Sequence, residues 1–115
     1  MISDADVAAY ERDGVVCLRH QFDARWVERL RAAIERDLAS PGPNATNFAE
    51  GSSAGKFFGD MYMWRHDPEF RAAALDSPAP AIAARLMGSS TVDFFYDPLF
   101  VKEPDTAPPT PWNPP

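Results

Sequence analysis

The sequence predicts an α+β chain with its helices early and its strand late. Three observations carry that expectation. An apolar stripe with helical spacing fills residues 24–39. Two Asp/Ser-Pro pairs open short helices in the middle of the chain. A β-rich run, TVDFFYDPLFVK, occupies residues 91–102. The chain has 115 residues, which bounds it at one domain. Its 45% hydrophobic and 24% charged composition is that of a globular protein.

The elements follow in order. Ser3 is placed to cap a first helix, with Asp6 three residues on as in a capping box. Val7 and Tyr10 share one face of that helix, and Gly14 ends it. VVCL, residues 15–18, reads as a short buried strand, with Cys17 a buried, inert thiol. Asp23 caps the second helix, ARWVERLRAAIERDLA. Trp26, Leu30, Ile34 and Leu38 repeat there every fourth residue with Val27 beside them, while the arginines and glutamates lie off the stripe. SPGPN breaks the helix, and residues 40–55, rich in Ser, Gly, Pro and Asn, predict a surface loop. KFFGDMYMW then groups large apolar side chains around Gly59 and Asp60. Asp67-Pro68 and Ser77-Pro78 each set a capping side chain before a proline at the first helical position, and Gly88 closes the second of these helices. In the last run Val92, Phe94 and Tyr96 alternate with Asp93, Phe95 and Asp97. Phe95 and Phe100 are expected in the core, and Pro98 marks an edge, a bulge or a break. Residues 104–115 hold six of the twelve prolines, and a tail without those amide donors cannot lie inside a sheet.

Charge and composition exclude some functions. The net charge is −6 and no Lys/Arg run is present, so neither nucleic acid nor an anionic membrane face is an expected partner. One cysteine excludes an internal disulfide. The polar, acidic start MISDADVAAYERDG is unlike a signal peptide, and no run approaches a membrane span, so a cytoplasmic protein is expected.

The DGVV opening after the first helix, the aromatic stretch GKFFGDMYMW and above all SPAPAIAARLMGSSTVDFFYDPLFVKEPDTAPPTPW resemble the phytanoyl-CoA dioxygenase family. The resemblance covers nearly the whole chain. It implies a non-haem iron oxygenase that uses 2-oxoglutarate. The implied fold is an N-terminal helical part plus the first strands of a double-stranded β-helix (jelly-roll or cupin-like), incomplete here. In the family the Trp of this motif precedes His-Gln-Asp, whose His and Asp bind iron. Here Asn113 and Pro115 take those two places after Trp112. The part of the family domain that carries the second iron histidine, the arginine anchoring 2-oxoglutarate and most of the β-helix has no counterpart in these residues. The expectation is an N-terminal portion, by a frameshift, an early stop or a natural short form, that binds no iron and is inactive by itself.

The residues alone point the same way. A facial iron site needs two imidazoles and one carboxylate on adjacent coordination positions. The chain has two histidines, His20 and His66, and neither begins a His-x-Asp or His-x-Glu triplet. Side chains two apart on a strand share a face, whereas the neighbours His66 and Asp67 would diverge. His20, beside a turn, is expected in solvent.

The resemblance supplies the remaining candidates. Lys56 matches a family lysine near 2-oxoglutarate, or is a solvated lysine beside an aromatic cluster. Lys102 either lines the cosubstrate pocket or pairs with Glu103 or Asp105. Pro98 stands with these lysines as a candidate on the cofactor side. Tyr96, Asp97 and Trp112 are the candidates for the substrate pocket. Should the chain instead be a non-catalytic module, its apolar helix stripe and the 91–102 strand require cover. Self-association or docking on a partner chain is then expected.

Overall fold

The computed structural model describes residues 1–49, 55–106 and 110. Four helices, a 3-10 turn and three strands are present among them: α1 Asp4–Asp13, α2 Ala24–Ala39, β1 Thr46–Asn47, β2 Phe57–Met61, the turn Met63–Arg65, α3 Pro68–Leu75, α4 Ala79–Met87 and β3 Pro98–Lys102. None of the helices described is long and apolar enough to cross a membrane.

The helix ends follow the capping chemistry. The Asp6 N–H donates to Ser3 Oγ at 3.2 Å and the Ser3 N–H donates to Asp6 Oδ2 at 2.9 Å, a reciprocal capping box. Gly14 and Gly88 close α1 and α4 in the left-handed conformation, with φ of 72° and 61°. Asp23 Oδ1 accepts the Trp26 N–H at 3.0 Å. Asp67 Oδ1 accepts the Glu69 N–H at 2.7 Å, with Pro68 as the first helical residue. At α4 the boundary moves by one. Ser77 Oγ still accepts the Ala79 N–H at 3.1 Å, but Pro78 itself occupies the cap.

The sheet is antiparallel in the order β1-β2-β3. Thr46 pairs with Gly59, and Phe57, Phe58, Gly59, Asp60 and Met61 pair with Lys102, Val101, Phe100, Leu99 and Pro98. Alternation gives the two faces. Phe58, Asp60, Leu99 and Val101 share the face whose Leu99 packs against the helical core of Ala33, Met63 and Phe70, with Leu30 and Ile34. Phe57, Gly59, Met61, Pro98, Phe100 and Lys102 share the other. Arg36 donates to Asp67 at 3.0 Å, and Arg29 pairs with Glu69, so two ion pairs tie α2 to α3. Arg85 ties α4 to Asp4 of α1.

Several expectations are corrected here. Residues 15–18 form no strand. Val15 is 70% exposed and Cys17 is exposed, while Val16 and Leu18 are half-buried. No described strand lies alongside to pair with them, so β-propensity alone does not bury them. In the second helix the fully buried residue is Ala33, at 0% exposure, and the Trp26-Leu30-Ile34-Leu38 stripe is only half-buried. Residues 40–49 do more than span a surface: Thr46–Asn47 pair with β2, and Asn44 Nδ2 donates to the Met61 carbonyl at 3.2 Å. The final strand is Pro98–Lys102 alone, because β2 offers five residues to pair with and residues 91–97 have no ladder. Proline thus stands at the first strand residue, where its missing amide is tolerated. Phe95 and Phe100 lie outside the core at 83% and 64% exposure. Phe100 is on the face that no helix covers, and Phe95 rests edge-on against Tyr96, ring centroids 4.9 Å apart. One three-stranded sheet is what the described residues form. A double-stranded β-helix needs two facing sheets.

Candidate functional site

The central strand positions almost every candidate. Lys56 immediately precedes β2, and its backbone is clamped at both ends. Its N–H donates to Glu103 Oε2 at 2.8 Å, and its carbonyl accepts the Glu103 N–H at 2.8 Å. Lys56 lines an open hollow of about 310 Å³ with Leu38, Pro41, Ala45, Thr46, Asn47 and Phe58. Phe58, two residues on, belongs to the helix-covered face.

Lys102 lies on the opposite face. Its Nζ sits 5.0 Å from the centroid of the Phe57 ring, and it donates to Thr110 Oγ1 at 2.9 Å. The Phe57 ring is only 5% exposed, sealed by this ammonium and by the Phe48 ring at 4.8 Å. Lys56 and Lys102 are therefore not brought to one site, although Phe57 and Lys102 are direct partners in the ladder. Pro98 begins β3 on the Lys102 face.

Asp97 turns towards the helices. Its Oδ2 accepts the Trp64 N–H at 2.9 Å and its carbonyl accepts the Tyr62 N–H at 3.2 Å, so it anchors the 3-10 turn. Burial pushes its carboxyl up, against the pull of the backbone N–H groups. Tyr96 is 39% exposed and stacks loosely on Tyr62, centroids 6.0 Å apart. Trp112 lies outside the described residues.

Asp60 carries no signature in the sequence, yet it is the most buried charged side chain among the described residues, with the half-buried Asp37 nearby. Asp60 is 1% exposed. Its Oδ1 accepts the Met61 N–H at 2.7 Å and its Oδ2 the Gly42 N–H at 3.1 Å. The Asp37 carboxyl is pushed up to about 6, first by burial and then by the neighbouring Asp60 carboxyl. Parity was the available signal. Asp60 falls on the same strand face as Phe58, and a carboxylate on a covered face needs partners.

An iron site needs converging donors. Among the described residues no three of His, Cys, Asp and Glu gather in a geometry fit for a metal ion. His20 and His66 are both exposed, and His20 holds a left-handed φ of 59° in its turn. The described donors do not fit a facial iron set, and Asn113 and Pro115 in the tail supply neither an imidazole nor a carboxylate.

The family model described as Phytanoyl-CoA dioxygenase (PhyH) matches residues 10–114. The chain belongs to the phytanoyl-CoA dioxygenase family. That match runs from α1 through β3 and into the proline-rich tail. The PhyH assignment thus rests on every element of the fold from Tyr10 onward. No curated protein and no solved structure matches the chain significantly.

Proposed function

We propose that these 115 residues are the helical layer and first strands of a PhyH-type oxygenase domain, whose reaction is 2-oxoglutarate-dependent hydroxylation of an unactivated C–H bond. On this reading they furnish one wall of the cosubstrate pocket and leave the iron ligands to residues that these do not include. The family match over residues 10–114 carries the reading.

The sheet geometry sharpens it. Helices cover the Phe58-Leu99 face, and on this reading that face is the outside of a β-helix. The inner face, where a second sheet would stack, is then that of Phe57, Met61, Phe100, Lys102 and Pro98. Lys102 and Pro98 become the pocket residues, and Lys56 a lysine of the outer hollow. The exposed Phe100 and Met61 find their cover in the facing sheet.

The test joins a family C-terminal half, beginning His-Gln-Asp, directly after Trp112. The chimera is expected to bind one Fe(II) and to turn over 2-oxoglutarate, and the 115-residue chain to do neither. Calorimetry that finds one micromolar Fe(II) site on the chain itself overturns the proposal. In the chimera Lys102→Ala should weaken 2-oxoglutarate binding by about 1–3 kcal/mol, as loss of a charged hydrogen bond does. Lys56→Ala should leave it unchanged.

A second reading is a non-catalytic module that covers its apolar face by self-association. The 64% exposure of Phe100, beside an edge of β3 that no described strand pairs, favours it.

A further inference from the structure

A hollow of about 400 Å³ opens between α3, α4 and residues 92–95, and it shares no lining residue with the Lys56 hollow. Its wall is Ala74 and Leu75 of α3, Ala79 and Ala83 of α4, and Val92 and Phe94. The room comes from alanine. Ala79 and Ala83 are four apart on one face of α4, and Ala74 lines the same space from α3. Leu75, Val92 and Phe94 are exposed there, as is Phe95, which also lines it. A hollow of this size with an apolar wall takes a small molecule when a polar group fixes its orientation.

Arg71 is placed for that role. It stands one turn ahead of Ala74 and Leu75 and falls between them around α3. Side chains of a helix lean towards its N-terminus, so the guanidinium stands off the end of the hollow. It lies 5.5 Å from the centroid of the Trp64 ring, and Trp64 meets the Phe94 ring edge-on at 5.9 Å. The carboxylates beside it on α3 are engaged elsewhere, Asp67 by Arg36 and Glu69 by Arg29. Among the described residues Arg71 has no ion-pair partner. Arg65, 5.6 Å from the same Trp64 ring, adds positive potential. Asp93 is the charged residue of the wall, and its repulsion sets an anion at Arg71 and not in the hollow itself.

We propose that the α3–α4 hollow binds a hydrocarbon monocarboxylate, its apolar body against Ala79, Ala83, Val92 and Phe94 and its carboxylate on the Arg71 guanidinium. A guanidinium presents two parallel N–H groups, which match the two oxygens of one carboxylate. The apolar wall supplies area without direction, and Arg71 supplies the direction. Helices α3 and α4 and residues 92–95 carry this site whatever reaction the family domain performs.

The test is an NMR titration of the 115-residue chain with decanoate, kept below the concentration at which it forms micelles, with decanol as the uncharged control. The methyl signals of Ala74, Ala79 and Ala83 and the Arg71 guanidinium should shift together and saturate at one decanoate per chain. Decanol should bind about tenfold more weakly, the share of one charged hydrogen bond. Arg71→Gln should lower the affinity for decanoate to that for decanol and leave decanol unchanged. Equal binding of the two probes by the native chain overturns the site, and so does an Arg71→Gln chain that holds decanoate as tightly as before. Shifts confined to Phe100 and Met61 also overturn it, because they place the probe on the sheet face that no helix covers.

Discussion

Single side chains set the ends and the tight points of this fold. Ser3 and Asp6 satisfy each other's backbone at the start of α1, and both the Ser3 hydroxyl and its N–H hold the Asp6 carboxyl below the usual range. That contribution is present above the ordinary carboxylate range and is lost as pH falls below it. Amide exchange in the first turn of α1 should therefore quicken in acid. Ser3→Ala should cost about 0.5–2 kcal/mol of helix stability, read by the same exchange at neutral pH. Two glycines allow a sharper comparison. A Cβ at Gly59 would meet the Phe48 ring edge at 2.9 Å, and that ring can turn aside. A Cβ at Gly42 would meet Oδ2 of Asp60, a carboxylate held by two backbone amides, Gly42 N–H on Oδ2 and Met61 N–H on Oδ1. Gly42→Ala should lower the melting temperature more than Gly59→Ala, with a cost of about 1–3 kcal/mol as for other overpacked sites. Equal melting temperatures would remove the Asp60 cradle from the account.

Elements meet through a small core and a few ion pairs. Phe70 of α3, 7% exposed, packs with Ala33 of α2 and Met63 of the 3-10 turn. Phe70→Ala should cost about 3–5 kcal/mol in chemical denaturation, the range for a truncated core aromatic. Phe100→Thr, on the uncovered face of β3, should change stability by no more than about 0.5 kcal/mol in the isolated chain. The Arg36–Asp67 contact is partly exposed, so a double-mutant cycle should return no more than about 1 kcal/mol for the pair. Asp67 does a second job as the α3 cap, so Asp67→Ala should cost more than Arg36→Ala. If the two single variants melt together, the cap contributes nothing beyond the ion pair.

Among the described residues the sheet has one face covered by helices and one that no helix covers, where Phe48 and Lys102 seal Phe57. Helices α2 and α3 protect the first, and the second presents Phe100 and Met61 to solvent, at 64% and 42% exposure. Add the edge of β3, which no described strand pairs, and the isolated chain is expected to self-associate or to bind a hydrophobic dye strongly. Sedimentation that shows a monodisperse monomer with a sharp thermal transition would speak against both uses of that face, the second sheet and the second copy. In the chimera the dye binding should fall, because the facing sheet covers what the dye reads.

Much of this was legible along the chain, wherever the controlling physics is local. Ser3, Asp23, Asp67, Gly14 and Gly88 act within one turn of themselves, so the residue type and its spacing suffice to place helix ends. The family follows from the same linear pattern, but the expected order of helices before strand does not hold, because β1 and the central strand β2 lie between α2 and α3. Burial is not local. VVCL and TVDFFYD have the composition of strands, but a strand exists only when a neighbour accepts its hydrogen bonds, and β2 has partners for five residues of the final run and for none of the first. Which face Lys56 and Lys102 occupy depended on the register of β2 against β3, since a shift of one residue exchanges the faces. The burial of Asp60 arises only when the loop after α2 closes on the central strand and the Gly42 N–H reaches a carboxyl that nothing in the spacing relates to it.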